Sequence, residues 1–166
     1  MSEKDKIYEQ KVNYTGPFDF KNVYNFLYTM LIDTGYQVEE KAYKEKSIGG
    51  AKEIEIVWEA KRKISDYFRF QINIGWRILG MKDVEVMKDG KRVKMNEGNP
   101  EIKFQAFLER DYENKWEGTA LFRFLRGVYD KFVVKKTIEG YEKKLIDEVS
   151  DLINQTKAYL VLEGKR

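Results

Sequence analysis

From Tyr67 to Leu79 the chain reads YFRFQINIGWRIL, with Phe68, Phe70, Ile72, Ile74, Trp76 and Ile78 on every second residue. Arg69, Gln71, Asn73, Gly75 and Arg77 stand between them. Side chains of a strand point alternately to its two faces, so this is a long strand with one apolar and one polar face. A helix would scatter the same six side chains around its circumference. The apolar face demands a cover and the strand demands neighbours, and the rest of the chain can be read as supplying both.

Neighbours are easy to find. Glu53–Lys63 alternates with Ile54, Ile56, Trp58 and Ala60 inward and Glu53, Glu55, Glu59 and Lys61 outward. Ile102, Phe104, Ala106 and Leu108 do the same, with Lys103, Gln105 and Glu109 outside. Lys6–Tyr14 reads as a first strand and Tyr36–Lys46 as a polar, edge-like one. Val84 and Val86 meet Val93 and Met95 across Asp89-Gly90, a dipeptide that favours a type I′ hairpin. Thr15-Gly16-Pro17, Ile48-Gly49-Gly50, Ser65-Asp66 and Asn99-Pro100 are the expected breaks.

The cover is helical. Asp19 is a suitable N-cap for Phe20–Asp33, where Val23, Tyr24, Phe26, Leu27, Met30 and Leu31 recur every three or four residues, and Gly35 ends the run. Ile138, Tyr141, Leu145, Val149, Leu152, Ile153, Thr156 and Leu160 lay out a second helix of about 22 residues. Between them, Leu121, Phe122, Leu125, Val128, Tyr129, Phe132 and Val133 have helical spacing, with a strand as the weaker alternative over Thr119–Val134. The expected class is α+β: an antiparallel sheet of about six to seven strands packed against an N-terminal helix and a long C-terminal helix. A length of 166 residues suits a single domain, 1–166.

Composition narrows function more by exclusion than by assertion. The chain has no cysteine and no histidine. Disulfides, thiolate chemistry and imidazole ligands are ruled out, as are Ser-His-Asp and Cys-His nucleophiles. An enzyme would have to run on carboxylates, Lys, Tyr or Arg, and no such apparatus stands out. The expectation is a non-enzymatic protein without cofactor or metal. Lys and Arg number 31 against 28 Asp and Glu, a net charge of only +3. The charged fraction of 36%, rich in Lys and Glu, is the pattern of thermophile surfaces. Nothing at the N-terminus has the apolar run of a signal peptide, and no apolar run is long enough to span a membrane, so a cytoplasmic location is expected.

The order strand, helix, strands, helix resembles the helix-grip (START-like, Bet v 1-like) superfamily. That resemblance rests on topology and covers nearly the whole chain. It implies a cavity between sheet and helix, since members bind lipids, steroids and polyketides and some act only as protein-interaction domains. KVNYTGPFDFKNVYNFL, KWEGTALFRFLRGVYDKF and KAYLVLEGKR look similar to a family of small archaeal proteins with no established activity.

Two constellations remain as candidate sites. One is basic and aromatic: Arg62, Lys63, Arg69 and Arg77 on and beside the central strand, Phe107 on an otherwise polar parity, and Arg123, Arg126, Lys131 and Lys135 further on. Arg and Lys groups recognise phosphates, and exposed Tyr67 or Phe107 could stack bases. This points to RNA or a ribonucleoprotein such as the ribosome, with a homo-oligomer as a further expectation. The competing reading is that these cations pair with nearby carboxylates. The other constellation is Trp58, Phe68, Phe70, Trp76 and Phe104, which would line a cavity for a small apolar ligand or simply fill the core. The carboxylates Glu53, Glu55 and Glu59, and Asp147, Glu148 and Asp151, read as solvated faces.

Overall fold

The computed structural model describes residues 3–113, 120–128, 131 and 135–164, the side chains of 122, 126, 163 and 164 apart. Among the described residues, six strands and three helices follow in the order β1 (Glu3–Asn13), β2 (Gly16–Phe18), α1 (Phe20–Asp33), β3 (Gln37–Ile48), β4 (Ala51–Lys63), β5 (Phe68–Lys88), β6 (Lys91–Arg110), α2 (Ala120–Val128) and α3 (Lys135–Gly164). The six strands form one antiparallel sheet in the order β1-β6-β5-β4-β3, with β2 also on β6. The α+β class is as the alternation requires.

The breaks differ in three places. Gly16 and Pro17, read as part of a break, belong to β2. The strand read as closing at Leu79 and the break read at Asn99-Pro100 both give way, since β5 runs unbroken for 21 residues and β6 for 20. At Gly80 the ladder only shifts register, between Leu79 and Lys82, as a bulge does. Pro100 faces Ile78 inside the ladder, and its carbonyl accepts from Tyr14 N at 3.1 Å. Within a strand, N and C=O of one residue point the same way, so the missing N–H falls on the side where β1 has already ended. Beyond Asn96 only β5 and β6 continue, pairing Val84 with Met95 and Val86 with Val93. This two-stranded arm closes at Asp89 and Gly90, which take positive φ of 52° and 77°, as the expected hairpin turn demands.

The inward face of β5 and its neighbours meets α1 and α3. Trp58 and Trp76 cross edge to face at 5.3 Å, and Tyr24 and Phe20 of α1 close on them at 4.9 and 6.2 Å. Tyr141 of α3 packs on Phe68 and Phe70, at 5.0 and 6.2 Å. Phe26 and Tyr159 stack at 4.3 Å where the two helices touch. Buried Val23, Leu27 and Leu31 of α1 and Leu145, Val149 and Ile153 of α3 complete the core. Segment 120–128 is helix, which decides the helix-or-strand question for that stretch; residues 119, 129–130 and 132–134 lie outside the described residues. The last helix is longer than its periodicity predicts, 30 residues, with Gly140 inside it.

Candidate nucleic-acid interface

Helix α1 ends in a way that builds the first wall of the site. Gly35, with φ of +98°, donates to Ile32 O at 3.0 Å, and Tyr36 donates to Leu31 O at 3.0 Å. This is a Schellman end, and it leaves the Thr34 carbonyl without a helical donor. Arg62, at the end of β4, supplies one: its Nη1 donates to Thr34 O at 2.8 Å, and its Nη2 meets Glu148 Oε2 of α3 at 2.7 Å. The guanidinium also lies 5.1 Å from the Tyr36 ring and 5.4 Å from Phe70. Arg62 thus clamps α1, β4 and α3 together. It is a half-buried structural cation.

The second wall comes from cross-strand register. Arg69 faces Glu109 across β5 and β6 and Lys63 across β4 and β5. Arg69 donates through Nε to Glu109 Oε2 at 2.9 Å, with Nη2 at 2.7 Å from the same oxygen. Glu109 is only 3% exposed although it sits on the polar face. The ring of Tyr112 lies 4.9 Å from the Arg69 guanidinium carbon and 5.9 Å from Lys63 Nζ, and the Tyr112 hydroxyl donates to Ser65 O at 2.7 Å. A buried carboxylate and an aromatic ring therefore hold two cations at the end of the sheet, where charge-assisted bonds are strong.

Between these walls is a hollow of about 300 Å³ lined by Gly35, Gln37, Lys61, Arg62, Lys63 and Arg69. Four of its six lining residues are cationic. Lys61 lies 3.9 Å from Glu59, a loose contact, and Arg69 keeps Nη1 clear of its bonds to Glu109. The lining can present several N–H donors to one anion without unpairing Glu109 or Glu148. Beside it on the polar face, Lys61, Gln71, Phe107 and Lys6 fall in one cross-strand row. Gln71 is 2% exposed there, its amide donating to Asn73 Oδ1 at 2.8 Å and Glu59 Oε1 at 3.2 Å. Phe107 is half-buried.

Arg77, Arg123, Lys131 and Lys135 do not join this cluster. Arg77 is eight residues along β5, roughly 27 Å away by strand rise. It lines a separate hollow of about 200 Å³ with Asn13, Tyr14 and Glu101, among others. Arg77 makes no ion pair within 4 Å among the described residues, although Glu55 and Glu101 flank it in register. Arg123 is exposed on α2, Lys131 and Lys135 are exposed beyond it, and the Arg126 side chain lies outside the described residues. Tyr67, read as an exposed stacking platform, is instead buried, edge-on to Phe68 at 5.0 Å. Its strand parity opposes Phe68, but the loop before β5 turns it under the sheet end, where its carbonyl accepts from Asp111 N at 2.7 Å. Lys61 and Tyr112 were not foreseen as site residues. Tyr112 follows β6, and only the pairing of β6 with β5 carries it to Arg69.

The aromatic constellation is packed tight. Trp58, Phe68, Phe70, Trp76 and Phe104 are all buried against one another and the helices. The space between helices and sheet, lined by Met30, Leu31, Thr34, Tyr36, Ile72, Glu148, Asp151 and Leu152, holds about 60 Å³. Drug-sized ligands occupy roughly 300–1,000 Å³, so this void suits a water or two. Burial pushes the Tyr36 hydroxyl far above the usual tyrosine range, and the neighbouring Glu148 carboxylate pushes the same way. Scanned against known protein-family models, curated proteins and solved structures, the chain matches none of them.

Proposed function

We propose that this chain is a non-enzymatic interaction module that binds RNA, free or within a ribonucleoprotein such as the ribosome, through the basic end of its sheet. The observation that carries the reading is the hollow of about 300 Å³ walled by Lys61, Arg62, Lys63 and Arg69. Buried Glu109 and half-buried Glu148 orient two of these cations, Arg69 and Arg62. Backbone phosphates are the anions such a site takes, and the half-buried Phe107 ring beside it suits stacking of an unpaired base. The lack of histidine and cysteine supports a binding role over a catalytic one. The order of elements supports a helix-grip relationship of the interaction-domain kind, since the interior offers so little room.

Lys61 and Lys63 are the residues to reverse, because neither holds a buried carboxylate. The Lys61→Glu, Lys63→Glu double variant should keep the native unfolding transition. It should lose affinity for a single-stranded RNA oligonucleotide, measured by fluorescence anisotropy, by tenfold or more, with a shallower salt dependence. Equal affinity of the variant and the native protein, at low and moderate salt, would refute the reading.

A further inference from the structure

Helix α2, ALFRFLRGV, carries Leu121, Phe124, Leu125 and Val128 at i, i+3, i+4 and i+7. On an α-helix these occupy one arc of roughly 100°, the width of a normal buried stripe. Here the stripe faces out: the four residues are 64%, 65%, 40% and 37% exposed. Arg123 is exposed on the opposite side of the helix. No acidic residue occurs in α2. A helix of nine residues without tertiary burial of its apolar face is marginal in water, so α2 fits a setting that covers that face.

Charge indicates which setting. Residues 120–136 contain five basic residues, Arg123, Arg126, Lys131, Lys135 and Lys136, against the single Asp130. The remaining chain holds 26 basic and 27 acidic residues, so the whole positive excess of the protein lies in this one stretch. An apolar stripe backed by cations is the pattern of a helix lying in the interface of an anionic bilayer, with the acyl boundary on one side and headgroup phosphates on the other. No described helix is long and apolar enough to cross a membrane, so this is contact with one leaflet.

We infer that α2 is a peripheral membrane contact, set into an anionic lipid surface through Leu121, Phe124, Leu125 and Val128. This stands apart from the RNA reading, because the sheet-end cations belong to other elements. The test is co-sedimentation of the intact protein with vesicles of phosphatidylcholine alone, and of phosphatidylcholine with phosphatidylglycerol in a roughly 2:1 ratio. The native protein should pellet with the anionic vesicles and stay in solution with the neutral ones. Phe124→Ser with Leu125→Ser should lower anionic-vesicle binding roughly tenfold while leaving the circular dichroism spectrum and RNA affinity unchanged, since both side chains are exposed. The Lys61→Glu, Lys63→Glu variant should bind vesicles as the native protein does. Three results would each overturn the inference. Pelleting of the Ser variant equal to that of the native protein would make the attraction purely electrostatic. Loss of vesicle binding by the Lys variant would assign it to the sheet end. A dimer in sedimentation velocity that the Ser variant breaks would make the stripe a contact between copies.

Discussion

Helices α1 and α2 have the same kind of sequence and opposite fates. Both place large apolar side chains every three or four residues. In α1 the stripe of Val23, Leu27 and Leu31 is sealed against the sheet, and both ends are tied down. Asp19 Oδ1 accepts from Asn22 N at 3.1 Å at one end, and the turn through Gly35 is held by Arg62 at the other. In α2 the stripe of Leu121, Phe124, Leu125 and Val128 is open. Periodicity establishes that a helix has an apolar face. It does not establish whether that face belongs to the protein's own core or to something outside it.

The sharpest way to break this contrast is truncation of matched leucines. Leu27 is fully buried, and Leu27→Ala should cost about 2–5 kcal/mol, the sum of lost transfer energy and the cavity left behind. Leu125→Ala should change stability by no more than about 0.5 kcal/mol. Urea unfolding of both variants at one temperature would decide it. A comparable loss at Leu125 would mean that α2 packs on its own domain after all.

A smaller effect is expected where α1 stops. A Cβ at Gly35 would stand 3.2 Å from Arg62 Cδ, and the backbone there has φ of +98°. Gly35→Ala should therefore cost about 1–2 kcal/mol. Gly35→Asn separates the two causes, because Asn tolerates left-handed φ better than Ala but carries the same Cβ. If Asn recovers most of the loss in thermal unfolding, backbone strain dominates. If it recovers none, the approach of the Arg62 stem does.

The smallest effect lies on the open polar face. Lys6 Nζ and Lys103 Nζ approach Glu9 at 2.7 and 2.9 Å, and their hydrogen bonds hold its carboxyl at about 2, below the ordinary 4.5. A folded value below the unfolded one means that the stabilisation is complete above about 4.5 and is lost as pH falls toward 2. Carboxyl NMR titration should show the low midpoint, and Lys103→Met should raise it. Because the site is exposed, the accompanying change in stability should be slight. A native midpoint near 4.5 would show that the two lysines do not engage Glu9 in solution.

Much of this was legible in the residues. The alternation of β5 placed Phe68, Phe70, Ile72, Ile74, Trp76 and Ile78 on the inner face, and all six are buried. Asp19 and Gly35 marked the ends of α1, and Asp89-Gly90 marked the hairpin. Local chemistry decides such features, so local sequence reports them. The candidate site was half legible: Arg62, Lys63 and Arg69 do share one hollow, while Arg77 and the α2 cations lie elsewhere. Type and parity could pick out basic residues on a polar face. They could not tell which cations stand close together.

The chain by itself determined the two faces of the long strands, the helical periodicities and the chemistry excluded by having no cysteine or histidine. Each follows from side-chain identity and spacing of two or about 3.6 residues. Only the tertiary structure decided that β5 and β6 run through Gly80 and Pro100, because a break signal is overridden when a neighbouring strand accommodates the bulge or the missing N–H. Only it joined Arg69 to Glu109, 40 residues away, and Arg62 to Glu148, 86 residues away. Only it left the α2 stripe uncovered. Contacts between residues far apart depend on register and on which face has space to fill, and neither quantity is written in any short window of sequence.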